Sequence, residues 1–140
     1  MASTNLKVRL ILYNKGSILL LRQKKTLGGN YTLVGGTIEN TEYAIEALIR
    51  ESQEESGIIL KEKNLQLVHV LHKRTKNNAH RITLYFKATQ WEGKLKTGEP
   101  NKFKGVSWFA LNTLPGNLSE TVRHVLKEYR AGRMYSEFKQ

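Results

Sequence analysis

Cysteine is absent from this chain of 140 residues, which excludes disulfide bonds and any metal site built on thiolates. A metal ion bound here would have oxygen or histidine ligands, and the four histidines show no paired ligand spacing. No apolar run reaches the roughly 18–20 residues of a membrane span. The first ten residues also lack the basic-then-apolar pattern of a signal peptide. We therefore expect a cytoplasmic protein with no membrane association.

Acidic residues are scarce, with 12 Asp and Glu against 23 Lys and Arg, for a formal charge of +11. Such a charge favours anionic partners, which include nucleotide phosphates, RNA and acidic surfaces. A basic, solvated surface without a partner remains the alternative. No Lys/Arg run exceeds three residues and there is no basic tail, which argues against a dedicated nucleic-acid-binding protein.

Five of the twelve acidic residues fall between positions 42 and 58, against the charge of the whole chain: Glu42, Glu46, Glu51, Glu54 and Glu55. The pattern predicts a helix over 42–56, on which Glu51 and Glu55 share one face. Like charges at these spacings repel, and anions are unfavourable near a helix C-terminus. A hard divalent cation, which prefers carboxylate oxygen, would remove that cost. A solvated acidic face is the alternative.

The spacing of these residues is more specific than their charge. It runs Gly36, five residues, Glu42, seven residues, Arg50-Glu51, two residues, Glu54-Glu55, one residue, Gly57 and then the apolar Ile58. This pattern resembles the box of the Nudix hydrolase family. Val34, Thr41 and Ser52 differ from the residues that are common at these positions of the box. These differences affect packing and loop shape more than chemistry. The resemblance implies a MutT-like Nudix fold, a mixed β-sheet sandwiched between α-helices.

The same resemblance implies the roles of the box residues. It assigns Mg²⁺, with Mn²⁺ as an alternative ion, to Glu51, Glu54, Glu55 and the backbone carbonyl of Gly35. Arg50 orients one of the box acids, and three further residues support the motif: Gly36, Glu42 and Gly57. Which acid deprotonates the attacking water stays open.

Three further assignments rest on similarity to the MutT-type branch or on charge. Glu99, eight residues after Trp91, corresponds to an acid in a mobile loop, the alternative being an exposed loop residue. Asn117 follows a Pro-containing turn and would contact the base, or would cap the last helix. Six basic residues could bind phosphates, and we expect several of them to be ordinary surface charges: Arg22, Lys24, Lys25, Lys73, Arg74 and Arg81.

Hydrophobic alternation and turn residues give the order of elements. They predict strands over 6–12, 17–22, 31–34, 65–72, 80–88 and 103–110, helices over 42–56 and 117–131, and a loose tail over 133–140. The order along the chain is strands, a helix, further strands and a second helix. This order indicates an α+β or mixed α/β class. The length suits a single domain over residues 1–140.

The resemblance implies an enzyme that hydrolyses a phosphoanhydride in a nucleoside diphosphate linked to another group. A nucleoside triphosphate, cleaved to monophosphate and pyrophosphate, is the preferred substrate. Dinucleoside polyphosphates, ADP-ribose, nucleotide sugars and RNA 5′-ends are alternatives, with RNA less favoured. A non-catalytic nucleotide- or RNA-binding module is a further alternative. The oligomeric state is left open, a homodimer being one option.

Overall fold

A computed structural model describes residues 4–140. Within this range there are eight strands and two α-helices, with two short 3₁₀ turns between them. The strands are β1 (Thr4–Asn14), β2 (Ser17–Gln23), β3 (Tyr31–Thr32), β4 (Gly35–Thr37), β5 (Gln66–Arg74), β6 (His80–Ala88), β7 (Phe103–Ala110) and β8 (Tyr135–Lys139). The helices are α1 (Ala44–Ser56) and α2 (Glu120–Arg130).

All eight strands belong to one mixed sheet. Its order is β3-β2-β1-β6-β5-β8, with β4 also paired to β1 and β7 to β2. The pairs β1–β6 and β5–β8 are parallel, and the remaining pairs are antiparallel. This arrangement confirms the predicted class and fold. The strand predicted over 31–34 is replaced by β3 and β4, two short strands that pair with different neighbours.

A hydrophobic core covers each face of the sheet, because successive side chains of a strand point to opposite faces. On β1, Val8 and Leu10 pack into the core that contains α1. Ile11, of opposite parity to Val8 and Leu10, packs into the core that contains α2. The sheet is therefore sandwiched between the two helices. No helix in residues 4–140 has the length and apolar character needed to cross a membrane.

The C-terminal residues differ from the loose tail predicted over 133–140. They form β8, which pairs in parallel with β5 from Val70 to Arg74. The side chain of Ser136 is buried and bonds to His69 Nε2 at 2.7 Å. Phe138 packs against the α2-side core. The five-residue strand was missed because its short alternation gives a weak signal, whereas its partners come from residues far away in the chain.

We expect the substitution Phe138→Ala to lower the free energy of unfolding by about 1–3 kcal/mol, because it removes a partly buried aromatic side chain. Denaturant titration followed by circular dichroism would measure the change. Glu137→Ala, at an exposed position of the same strand, is the matched control and should change stability by less than about 0.5 kcal/mol. Equal stability of both variants and the wild type would indicate that the Phe138 side chain does not stabilise the fold.

Candidate active site

Three carboxylates meet where the C-terminal half of α1 faces the loop between β6 and β7. Glu51 and Glu55 lie on α1, and Glu99 lies in the loop. One oxygen from each side chain lies within 4.8 Å of the other two. We call this group the acid cluster. Oxygen ligands at this separation are of the kind that a hard divalent cation binds.

Two glycines of β4 allow the helix to approach the sheet at this point. The backbone N–H of Gly35 donates a hydrogen bond to Glu55 Oε1 at 2.9 Å. A Cβ atom at Gly36 would lie only 2.7 Å from the carboxylate carbon of Glu51. Any side chain at position 36 would therefore displace the Glu51 carboxylate.

The loop before β7 carries Glu99 to the helix by capping its last turn. The N–H of Lys96 donates to the carbonyl of Ser56 at 3.0 Å, and the N–H of Gly98 donates to that of Glu55 at 2.9 Å. These two bonds satisfy carbonyls that a helix end leaves without partners. Glu99 is the next residue after Gly98, so the same bonds fix the start of its side chain beside the acid cluster.

Burial changes the acidity of the cluster. Glu55 is only 4% exposed, and this burial raises its pKa to about 8. Burial also raises the pKa of Glu51, despite the opposing effect of Arg50. A divalent cation among these oxygens would favour their ionised forms. The buried, mutually repelling oxygen donors thus fit a Mg²⁺ or Mn²⁺ ion.

Arg50 connects the acid cluster to the start of the helix. Its guanidinium binds Glu42 through two hydrogen bonds of 2.7 and 2.9 Å. The same group donates to Glu51 at 2.9 Å and to Glu54 at 3.3 Å. These bonds raise the pKa of Arg50 and lower that of Glu42. Arg50 therefore orients the Glu51 carboxylate, and Glu42 holds Arg50 in place.

The raised pKa of Glu55 makes the stability of the metal-free protein depend on pH. The pKa of this carboxyl group is at its ordinary value of 4.5 in the unfolded protein and is about 8 in the folded protein. The folded state thus binds the proton more tightly. The contribution of this protonation to the free energy of unfolding is complete below about pH 4.5. We expect this contribution to be lost as the pH rises from 4.5 through 8, at up to about 1.4 kcal/mol per pH unit.

Denaturant unfolding in a chelator between pH 4.5 and 8.5 would test this expectation. The control is Glu55→Gln, which keeps an oxygen for the Gly35 N–H but cannot titrate. The wild type should lose stability relative to the variant across this range, and Mg²⁺ should restore part of it. A constant difference between the two proteins at every pH would contradict the prediction.

A second charged feature lies beside the acid cluster, on the face of the sheet that carries α2. Four basic side chains line a cavity of about 160 Å³: Lys7 and Arg9 from β1, Lys73 from β5 and Arg81 from β6. We call this cavity the cationic groove. Burial, followed by repulsion from Arg9, lowers the pKa of Lys7 to about 8. Burial, followed by repulsion from Arg81, also lowers the pKa of Lys73.

One residue joins the two charged features. Arg9 Nη1 donates to the carbonyls of Leu33 at 2.9 Å and Gly35 at 3.3 Å, and the N–H of Gly35 binds Glu55. The cationic groove therefore begins one peptide unit from the acid cluster. A larger open cavity of about 760 Å³ lies between residues 111–114 and α2, and no acidic residue lines it.

The arrangement of Gly36, the acidic residues of α1 and Arg50 agrees with the comparison to known families. The family model described as NUDIX domain matches residues 4–129. The chain belongs to the Nudix family. It is accordingly a hydrolase of phosphoanhydrides, as its box acids predicted.

Similar proteins span most of this Nudix chain. An ADP-ribose pyrophosphatase from Methanocaldococcus jannaschii is 33% identical over 120 residues, which cover 85% of this chain and 69% of the relative. The crystal structure of a MutT Nudix hydrolase from Burkholderia pseudomallei has a TM-score of 0.81 and 27% identity, covering 89% of this chain and 97% of the other. A MutT protein structure from Bacillus halodurans is 23% identical and has a TM-score of 0.79. This match covers 96% of this chain and 89% of the other, and it supports the fold alone.

Of the three box acids predicted to bind the metal, the structure brings two together and leaves the third aside. Glu51 and Glu55 share the acid cluster with Glu99, as the similarity to the MutT-type branch suggested. Glu54 lies outside the cluster, with its side chain 50% exposed and bonded to Arg50. The Gly35 carbonyl accepts a hydrogen bond from Arg9, although a carbonyl oxygen has a second lone pair. Gly57 ends α1 in the left-handed conformation, with φ +75°.

The predicted substrate residues separate into two groups. Arg81 lines the cationic groove together with Lys73. Arg22 lies exposed, with its guanidinium 5.6 Å from the centre of the Tyr31 ring. Asn117 is also exposed and donates to the carbonyl of Gly29 at 3.2 Å. Neither Arg22 nor Asn117 lines the groove.

One expectation about helix capping needs correction, and two basic residues were missed. Asn117 does not cap the last helix, because Ser119 occupies that position and its hydroxyl accepts from the N–H of Val122 at 3.4 Å. Sequence reasoning also overlooked Lys7 and Arg9. Their i, i+2 spacing on a predicted strand was the available signal, since it puts both on one face of the sheet.

Proposed function

We propose that this Nudix hydrolase cleaves a phosphoanhydride in a nucleoside diphosphate linked to another group, with Mg²⁺ and alternatively Mn²⁺ as its ion. The first candidate substrate is a nucleoside triphosphate, which would yield a monophosphate and pyrophosphate. The observation that supports this proposal is the acid cluster lying beside the cationic groove through Gly35. An acidic metal site adjoining a basic groove suits a metal-bound phosphate chain.

In this proposal the ion would be held by Glu51, Glu55 and Glu99, with Glu54 and the carbonyl of Gly35 as further ligands. The ion would neutralise phosphate charge and acidify a water molecule. Water oxygen forms the new P–O bond, the bridging P–O bond breaks, and the leaving phosphate keeps the electron pair. One of the acids, Glu51, Glu54 or Glu99, takes the proton of the water.

The protein's own contribution is to hold these acids in a fixed arrangement. Arg50 orients Glu51 through a bond of 2.9 Å, and Glu42 fixes Arg50 from the other side. The N–H of Gly35 fixes Glu55. Such positioning lowers the reorganisation needed when the substrate reacts.

ADP-ribose is the second candidate substrate, because the relative from Methanocaldococcus jannaschii is an ADP-ribose pyrophosphatase and is 33% identical to this chain. Both candidates contain the same chemical bond. They differ in the group beyond the second phosphate, which is a third phosphate in one and a neutral ribose in the other.

A product-resolved screen would test the proposal. Nucleoside triphosphates, ADP-ribose, a nucleotide sugar, a dinucleoside tetraphosphate and RNA bearing a 5′-triphosphate are each incubated with Mg²⁺, Mn²⁺ or chelator. Chromatography then identifies the products. We expect release of a nucleoside monophosphate that depends on the added ion. Tight nucleotide binding without turnover under any of these conditions would instead support a non-catalytic binding module.

A further inference from the structure

Two histidines meet on the face of the sheet that carries α1. His80 is of the same parity on β6 as Leu84, which packs against the α1-side core. The direct partner of His80 on β5 is Arg74, and His72 has the same parity as Arg74. His72 Nε2 and His80 Nδ1 lie 2.9 Å apart, so one ring donates a hydrogen bond to the other. Spacing along the chain did not reveal this pair, because the β5–β6 hairpin brings the two rings together.

A carboxylate lies beside this pair on the next strand. Glu137 of β8 is the direct partner of His72, so its side chain is on the same face. Neighbouring strands are about 4.8 Å apart, which is within reach of a glutamate side chain. The Glu137 carboxylate is exposed and accepts a hydrogen bond from the Tyr135 hydroxyl at 2.7 Å. A change of rotamer would turn it towards His72, and an open cavity of about 270 Å³ beside both residues has room for an ion and its waters.

Two imidazoles and a carboxylate on three adjacent strands are a ligand set for a transition-metal ion. Zn²⁺ binds histidine nitrogen at roughly 2.0–2.1 Å in tetrahedral geometry, which separates two ligand nitrogens by about 3.3 Å. The two rings therefore need to move apart by only about 0.4 Å and to turn their lone pairs towards the ion. Imidazole suits Zn²⁺, whereas the carboxylates of the acid cluster suit Mg²⁺ and Mn²⁺. The ligand types thus distinguish this place from the acid cluster.

We propose that His72 and His80, with Glu137 as a third ligand, form a Zn²⁺ site that joins the C-terminal strand β8 to the β5–β6 hairpin. Water completes the tetrahedron, and each ring carries its proton on the nitrogen that does not bind the ion. An ion bound to all three strands stabilises the pairing of β8 with β5. The site does not rest on the proposed function, because it uses none of the residues of the acid cluster.

Two cations border the same cavity and oppose the approach of an ion: Arg74 and Lys139. Both side chains are exposed, so water screens their charge. The guanidinium of Arg74 is also bonded to Asn78 Oδ1 at 3.0 Å, in the hairpin turn. These charges weaken Zn²⁺ binding without blocking the ligand atoms. The variant Arg74→Gln should therefore bind Zn²⁺ at least as tightly as the wild type.

Calorimetric titration of Zn²⁺ tests the site in the wild type and in Glu55→Gln, which lacks the most buried carboxylate of the acid cluster. We expect both proteins to bind Zn²⁺ at a site that does not require Glu55. His72→Gln and His80→Gln should each weaken this site at least about 10-fold, because even partners that only orient a metal ligand contribute that much. Glu137→Gln should also weaken it.

His124→Gln is the matched control for the loss of one histidine. The His124 ring bonds to Ser136 Oγ at 3.0 Å, on the opposite face of the sheet from the proposed site. This variant should keep the wild-type affinity for Zn²⁺. Equal affinity in the wild type, His72→Gln and His80→Gln, or no binding of Zn²⁺ to Glu55→Gln, would overturn the inference.

Thermal unfolding and hydrogen exchange test the link to β8. At a concentration about 10-fold above its Kd, Zn²⁺ should raise the Tm of the wild type by about 3–6 °C, because it binds the folded state. The Tm of His72→Gln should match the wild type in chelator, which shows that it is folded, and should not rise with Zn²⁺. The ion should also slow exchange of the β8 amides in the wild type. Unchanged exchange in β8, or unchanged Zn²⁺ affinity in Glu137→Gln, would overturn the proposed link through Glu137.

Discussion

Replacing Glu55 by Gln should reduce kcat by about 10²- to 10⁴-fold, because a bound metal ion contributes several kcal/mol to catalysis and the substitution weakens its site. The substitution changes little in shape, and its amide oxygen can still accept from the N–H of Gly35. It removes the negative charge from the most buried member of the acid cluster. A neutral amide binds a hard divalent cation more weakly than a carboxylate does.

The measurement is turnover of the best substrate from the screen over a range of Mg²⁺ concentrations. We expect the apparent affinity for Mg²⁺ to fall together with kcat. The matched control is Glu62→Gln, the same chemical change at an exposed position on a 3₁₀ turn, which should leave both values unchanged. If Glu55→Gln retained wild-type turnover and Mg²⁺ dependence, the acid cluster would not be the metal site.

The local features of this site were predictable because they depend on spacing along one helix. Glu51 and Glu55 are four residues apart, so the helical period alone brings their carboxylates to one face. Gly57 was predictable as the helix terminator for a similarly local reason, since a left-handed C-terminal residue is usually glycine. The box resemblance then supplied chemical roles that spacing does not provide.

The features that sequence reasoning missed depend on contacts between distant segments. Lys7 and Arg9 appear on a strand with many apolar neighbours, and nothing local shows that Lys73 and Arg81 will face the same cavity. That convergence requires the parallel pairing of β1 with β6 and the antiparallel pairing of β6 with β5. The position of β8 likewise depends on β5, some 60 residues earlier in the chain.

The exposure of Glu54 is another result that a motif does not supply. Its spacing from Arg50 permits an i, i+4 ion pair, and the structure has this pair at 3.3 Å. Arg50 Nη1 also binds Glu51, so one donor atom is shared between an acid of the cluster and an acid outside it. Because Glu54 is not among the clustered oxygens, its proposed role as a metal ligand would require its side chain to move towards the acid cluster.

The substitution Gly98→Ala should lower kcat/KM by about 100-fold, because it would move Glu99 away from the acid cluster, and displacements of about 1 Å have effects of this size. An added Cβ would lie 1.8 Å from the carbonyl oxygen of Glu54 and 2.8 Å from its carbon. These are backbone atoms of α1, so no rotation of a side chain can relieve the clash. The loop must therefore separate from the helix.

Two comparisons identify the cause of the loss. Gly105→Ala and Gly116→Ala are controls for the loss of a glycine, since an added Cβ at either position meets no atom within 4 Å. Both should retain activity. The double variant combines Gly98→Ala with Glu99→Gln. If Gly98 acts through Glu99, this double variant should be as active as the less active of the two single variants, because the two changes would remove the same interaction. Multiplicative losses would show that the loop contributes to catalysis by a route other than Glu99.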